Sequence, residues 1–397
     1  MNDPTALLAE LVRIPSVGGS QGELLIQTRL AALMRSAGLE VDQWPLDLDA
    51  LTARPDFPGM EAPRSQAWGL VGRLPGSGGG RSLMFNCHVD VVPPGELSAW
   101  TDDPFSGKVD GGRLFGRGSC DMKGGLAAAV TAVLSLQDVR PRGDVLIACV
   151  VGEEDGGLGT YALLERGWRA DACVIPEPTG LAVVPAAAGA LTFRLRVPGR
   201  AAHAARRGTG VSAVEKFLPV FAALRSLEAR RNAAADPIFD RWDLAYPIEV
   251  GTVAAGDWAS SVPGELIAEG RIGVALDEQP GQARRALEEA VAAACAADPW
   301  LAAHPVAVEW WGGQFLPART GDEAFVKAVI AATGGDAAQW AAPYGSDLRL
   351  LTAAGIPTVQ YGPGDVDLAH GPDEHVRLSE IHEAARTLVR LAADICG

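Results

Sequence analysis

The chain has 397 residues, 48% of them apolar, which exceeds what one ordinary core needs and sets an expectation of two domains. Lysine and arginine number 34 against 49 aspartates and glutamates, and a net charge of -15 with no offsetting basic run argues against nucleic acid or an anionic membrane as partner. No segment approaches the ~20 apolar residues of a membrane span and the N-terminus has no basic-then-apolar pattern, so a cytoplasmic location is expected.

Residues 5–12 and 22–37 carry helical apolar spacing, and residues 39–44 read as a strand. Several prolines and little periodicity predict a surface loop over 45–66. Residues 67–74 and 82–90 read as strands, the second ending in His88-Val89-Asp90. Period-two alternation puts His88 and Asp90 on one side, where the acid can orient a histidine whose other nitrogen binds metal.

The stretch Gly116-Arg117-Gly118-Ser119-Cys120-Asp121-Met122-Lys123-Gly124-Gly125 predicts a glycine-rich turn ahead of a helix over 126–136. Asp121 there is either a cap for that helix or a ligand held between two centres. Residues 144–151 form a buried strand running into Gly152-Glu153-Glu154-Asp155, and residues 172–175 form another that delivers Pro176-Glu177-Pro178. A strand over 357–361 leads to His370-Gly371-Pro372-Asp373-Glu374-His375. His, Asp and Glu thus converge on sheet ends, where open α/β sheets place their ligand chemistry.

Between these stretches the order changes. Strands over 190–197, 248–253, 266–276 and 305–311 and helices over 211–230 and 282–297 read as βαββαβ, a four-stranded sheet with helices on one face. The expectation is an inserted domain over 181–312 within a first domain of 1–180 and 313–397, whose sheet is covered by helices over 322–332 and 379–395. Six cysteines without a paired pattern read as reduced and buried. His304, His375 and His382 belong to no motif and read as structural.

With these motifs in their order, the chain resembles the two-zinc metallopeptidase and deacylase family of acetylornithine deacetylase, succinyl-diaminopimelate desuccinylase, aminoacylase and glutamate carboxypeptidase. Its shape is most similar to the acetylornithine deacetylase branch. The resemblance implies an α/β/α catalytic domain with a mostly parallel central sheet, interrupted by a ferredoxin-like lid and dimerisation domain. It implies that His88, Asp121 and Glu177 hold one zinc and that Asp121, Glu154 and His370 hold the other, with cobalt or manganese able to substitute. Asp90 would orient His88, and Glu153 would serve as general base toward a metal-bridging water and then as general acid. His203 would act across a homodimer interface on the oxyanion.

The match departs from the family where a free carboxylate is usually held. Ser260 stands in place of an asparagine and Gly273 in place of an arginine, with Arg271 two residues earlier as the substitute cation. A free α-carboxylate on the substrate stays an open alternative. Ser346, in Tyr344-Gly345-Ser346-Asp347, is the expected contact near the leaving group. The expected function is removal of an acetyl, formyl or succinyl group from an amine or amino acid. The alternatives are a metal-dependent carboxypeptidase or dipeptidase and, remotely, an inactive binding protein of the same fold.

Overall fold

Three mostly apolar runs, Leu83–His88, Val145–Val150 and Ala172–Ile175, and the short Thr358–Gln360 are buried at every position. Such runs are what a parallel sheet covered on both faces requires, because no position can face water. In the computed structural model, which describes residues 3–397, they lie side by side and parallel, in the order Val145–Val150, Leu83–His88, Ala172–Ile175, Thr358–Gln360. Trp68–Leu74 and then Glu40–Pro45 extend one side of the sheet antiparallel, and Val183–Ala187 adds antiparallel on the other.

Helices Pro4–Val12, Gly124–Ser135 and Leu378–Ile395 pack together, with Gly124–Ser135 also against the Leu83–His88 and Val145–Val150 strands. Helix Gly124–Ser135 is buried along nearly its whole length, which explains its alanine-rich, almost uncharged sequence. Leu158–Glu165, a short helix not expected from the sequence, covers Trp68–Leu74 and Val145–Val150.

The chain packs as two units, one built from residues up to 186 with 319–340 and 346–397, the other from 187–318 with 341–345. The second contains an antiparallel sheet ordered Ile248–Ala255, Glu265–Val274, Gly189–Pro198, Ala307–Phe315. This is the βαββαβ order. Leu191, Phe193, Leu195 and Val197 alternate inward from the Gly189–Pro198 strand and meet Val220 and Leu224 of helix Ala213–Asn232 and Leu287 and Val291 of helix Pro280–Ala296.

The 45–66 segment departs from the expected surface loop. It holds a short helix, Leu48–Thr52, and later turns inward so that Pro58 and the Arg64 guanidinium are buried. Among the described residues no helix is long and apolar enough to cross a membrane.

Candidate metal centre

The site is built at the carboxyl ends of the four parallel strands. His88 is the last residue of its strand, Glu153 and Glu154 follow Val145–Val150, Glu177 follows Ala172–Ile175, and His370 is reached by the turn after Thr358–Gln360. His370 adopts a left-handed backbone, φ 62°, uncommon for a residue other than glycine. Asp121 is extended, φ -113° and ψ 101°, just ahead of helix Gly124–Ser135. It does not cap that helix, whose N-cap position is Lys123 with no side-chain bond.

Freed from capping, the Asp121 carboxylate lies between two histidines. Its Oδ1 is 3.0 Å from His88 Nε2, and its Oδ2 is 3.5 Å from His370 Nε2. Glu177 Oε2 approaches His88 Nε2 to 3.9 Å, and Glu154 Oε2 approaches His370 Nε2 to 3.1 Å. The structure thus gathers all five residues expected as ligands. His88 also shares close groupings of ligand atoms with Asp121 and Glu154 and with Glu153 and Glu177.

The electrostatics fit a cation. Burial, followed by the charges of Asp347 and Glu177, pushes the Glu153 carboxyl well up, and burial likewise raises Glu177. The nearby Glu154 charge lifts His370 to about 11. Burial would raise Asp121 too, but hydrogen bonds from His370 and His88 hold it well below the ordinary carboxylate range. Two imidazoles and three carboxylates at this spacing suit a divalent metal of zinc type, whose charge would relieve the crowding of acids.

Supporting contacts extend outward. His88 Nδ1 lies 2.9 Å from the backbone carbonyl of Asp90, while the Asp90 carboxylate is 3.9 Å away. The nearest group orienting His88 is thus the Asp90 carbonyl, with the carboxylate behind it within ion-pair range. The strand ends at His88, so Asp90 falls outside its alternation, and its carboxylate also accepts from the Glu153 and Glu154 amides at 3.3 and 3.2 Å. A donor hydrogen on Nδ1 leaves Nε2 with the lone pair a metal needs. Burial raises Asp90 to about 7.

Sequence reasoning missed a second support. Glu374 is buried, accepts from the Cys120 and Asp121 amides at 2.9 and 3.1 Å, and is bonded at 2.6 Å by Arg117, which also reaches the His370 carbonyl. One ion pair therefore fixes both the Asp121 turn and the His370 backbone. Both residues sit inside quoted motifs, but nothing in one dimension pairs positions 117 and 374.

Other expected site residues are less directly engaged. Ser346 is buried and its hydroxyl accepts from the Leu348 amide. In the second unit His203 is exposed on Ala202–His203 and its Nδ1 accepts from the Ala205 amide. Ser260 is exposed and its carbonyl accepts from the Ala204 amide. Arg271 lies over the Phe315 ring, 5.2 Å from its centroid. Gly273 has a steric reason to be glycine, since a Cβ there would come within 2.7 Å of the Tyr246 backbone. All six cysteines are buried and unpaired. His304 stacks on Trp300 at 3.8 Å and His375 lies 4.9 Å from Phe115.

Comparison with known proteins is consistent with this geometry. The profile described as Peptidase family M20/M25/M40 matches residues 84–394. N-formyl-4-amino-5-aminomethyl-2-methylpyrimidine deformylase of Halalkalibacterium halodurans is 29% identical over 80% of this chain and 79% of its own length. Succinyl-diaminopimelate desuccinylase of Methylorubrum extorquens is 36% identical over 64% of each chain. Among solved structures, the di-peptidase Dug1p of Saccharomyces cerevisiae aligns with a TM-score of 0.78 at 14% identity, covering 98% of this chain and 95% of that one.

Proposed function

Since the chain belongs to peptidase family M20/M25/M40, it is a metal-dependent hydrolase, and we propose that it removes an acyl group from the nitrogen of a small amine or amino acid. The observation that carries this reading is the Asp121 carboxylate, one oxygen toward His88 and the other toward His370. That arrangement suits a shared ligand between two zinc ions, one with His88 and Glu177 and one with His370 and Glu154; cobalt or manganese fits the same donors. When bound, zinc supplies Lewis acidity toward the scissile carbonyl and the attacking water.

Glu153 is the proton carrier. Buried and with its carboxyl pushed up, it accepts a proton from water as that water attacks the carbonyl carbon, then delivers it to the leaving nitrogen as the C–N bond breaks. Asp90 holds the Glu153 and Glu154 amides in register. His203 is assigned to the oxyanion across a homodimer interface, a role its exposure in the second unit permits. Arg271, Ser260 and Ser346 are assigned to substrate contacts.

Both the deformylase and the desuccinylase are named for removing an N-acyl group, which favours deacylation. The dipeptidase fold keeps peptide cleavage as the second reading. The test is amine release from matched N-formyl, N-acetyl and N-succinyl compounds, each as free α-carboxylate and as carboxamide, alongside dipeptides. Release from N-acyl compounds is expected. Cleavage of dipeptides alone would replace this reading with the second, and bound metal without hydrolysis of either class would indicate a binding protein.

A further inference from the structure

The segment before the Trp68–Leu74 strand sends one buried cation toward the acid loop. The Arg64 side chain is fully buried and makes a fork to Glu23, Nε to Oε2 at 3.1 Å and Nη2 to Oε1 at 2.9 Å. Its Nη1 donates to Asp155 Oδ2 at 2.8 Å and to the Ala62 carbonyl at 3.2 Å. The same Asp155 oxygen accepts from the Glu61 and Ala62 amides at 3.1 and 2.6 Å. Asp155 directly follows Glu154.

The backbone around Asp155 has little room. A Cβ on Gly156 would lie 2.1 Å from the Gly59 carbonyl oxygen, so the 59–64 segment rests on the loop itself. On the amino side, the loop's amides are tied to Asp90; on the carboxyl side, the Gly156 carbonyl accepts from Arg349 at 2.7 Å. Arg64 and the two amides are the partners of the Asp155 side chain in between, and they come from a segment 91 to 94 residues away.

We propose that Arg64 is a positioning residue, acting through Asp155 to hold Glu153 and Glu154 at the geometry the metal centre requires. The proposal rests on the reading above that Glu154 is a metal ligand. Arg64 touches neither the ligands nor a reacting atom; it works by restricting the loop that carries them. Glu23 is the internal comparison, since it shares the buried guanidinium through Nε and Nη2 and leaves to Asp155 the Nη1 contact.

The experiment is zinc titration of the metal-free protein against a chromophoric chelator, with melting temperatures, for Arg64→Gln, Asp155→Asn, Glu23→Gln and Glu154→Gln. Arg64→Gln and Asp155→Asn are expected to weaken the more loosely held zinc by about tenfold or more, as loss of an outer partner commonly does. Glu23→Gln is expected to stay within about threefold of the parent even where its melting temperature falls as far, because the Asp155 contact survives. Parent-like zinc binding in the first two overturns the proposal. So does an equal loss in Glu23→Gln, which would mean that affinity merely follows stability. If Arg64→Gln does not fold, Arg64→Lys replaces it, with an expected affinity between the parent and Asp155→Asn. Undiminished zinc binding in Glu154→Gln would instead defeat the ligand assignment itself.

Discussion

At Arg117 and Glu374 the chain buries two opposite charges and uses both. Glu374 is fully enclosed and bonded by Arg117 at 2.6 Å while holding the Cys120 and Asp121 amides. Arg117→Met would leave a buried carboxylate without its cation, and breaking such a pair costs about 3–5 kcal/mol. Chemical denaturation of the two proteins should show a loss of that size. Glu374→Gln keeps an acceptor for the two amides but leaves the Arg117 guanidinium buried without its anion, so a loss of similar size is expected. The candidate ligands were named through motifs that resemble a known family rather than through local pattern, since only Glu177 and His370 stand directly beside proline or glycine. What sequence could not supply was pairing across distance: Arg117 with Glu374, or Arg64 with Glu23 and Asp155. At Asp90 alternation was extended two residues past the end of the strand, and sequence did not show that its carboxylate also holds the Glu153 and Glu154 amides.

Longer elements with a clear period were legible, including all four strands of the second unit, whereas the helix Leu158–Glu165 and the buried strand Val183–Ala187 were not. Lys108–Asp110, Arg113–Phe115 and His375–Arg377, a small antiparallel sheet, are too short to show a period. Leu48–Thr52 was hidden among prolines. In the second unit the sheet and helices meet at Phe193, fully buried; Phe193→Ala should cost about 3–5 kcal/mol in that unit's unfolding. Helix Pro299–Ala303 starts at Asp298, which accepts from the Trp300 and Leu301 amides and pairs with Lys216 at 2.7 Å. The Lys216 bond first, and then the capping amides, hold the Asp298 carboxyl below its ordinary value. Because the folded value is the lower one, the unfolded chain takes up the proton first as pH falls. The stabilisation is complete above the ordinary aspartate value of about 4 and is lost as pH drops through the folded value. Asp298→Asn should flatten that part of the acid limb in a pH series of melting temperatures and, because asparagine caps as well, cost at neutral pH only what the Lys216 pair contributes, about 0.2–1 kcal/mol.

For the whole molecule, the excess of acid over base concentrates consequence at the metal centre, where Asp121, Glu153, Glu154 and Glu177 converge. A bound metal should stabilise the fold by mass action, about 2.7 kcal/mol at a free concentration one hundred times its dissociation constant. Chelation should therefore lower the melting temperature, and adding zinc back should restore it. Two packed units were expected from length and from the change of element order, and the family match spans both. The proposed function rests on one division of labour, in which five residues would hold metal and Glu153 would move the proton. The most direct measurement compares the parent chain with Glu153→Gln for metal content by mass spectrometry and for turnover of the best N-acyl compound. The account predicts equal metal and a fall in turnover by about two to four orders of magnitude. Near-normal turnover in Glu153→Gln would contradict it.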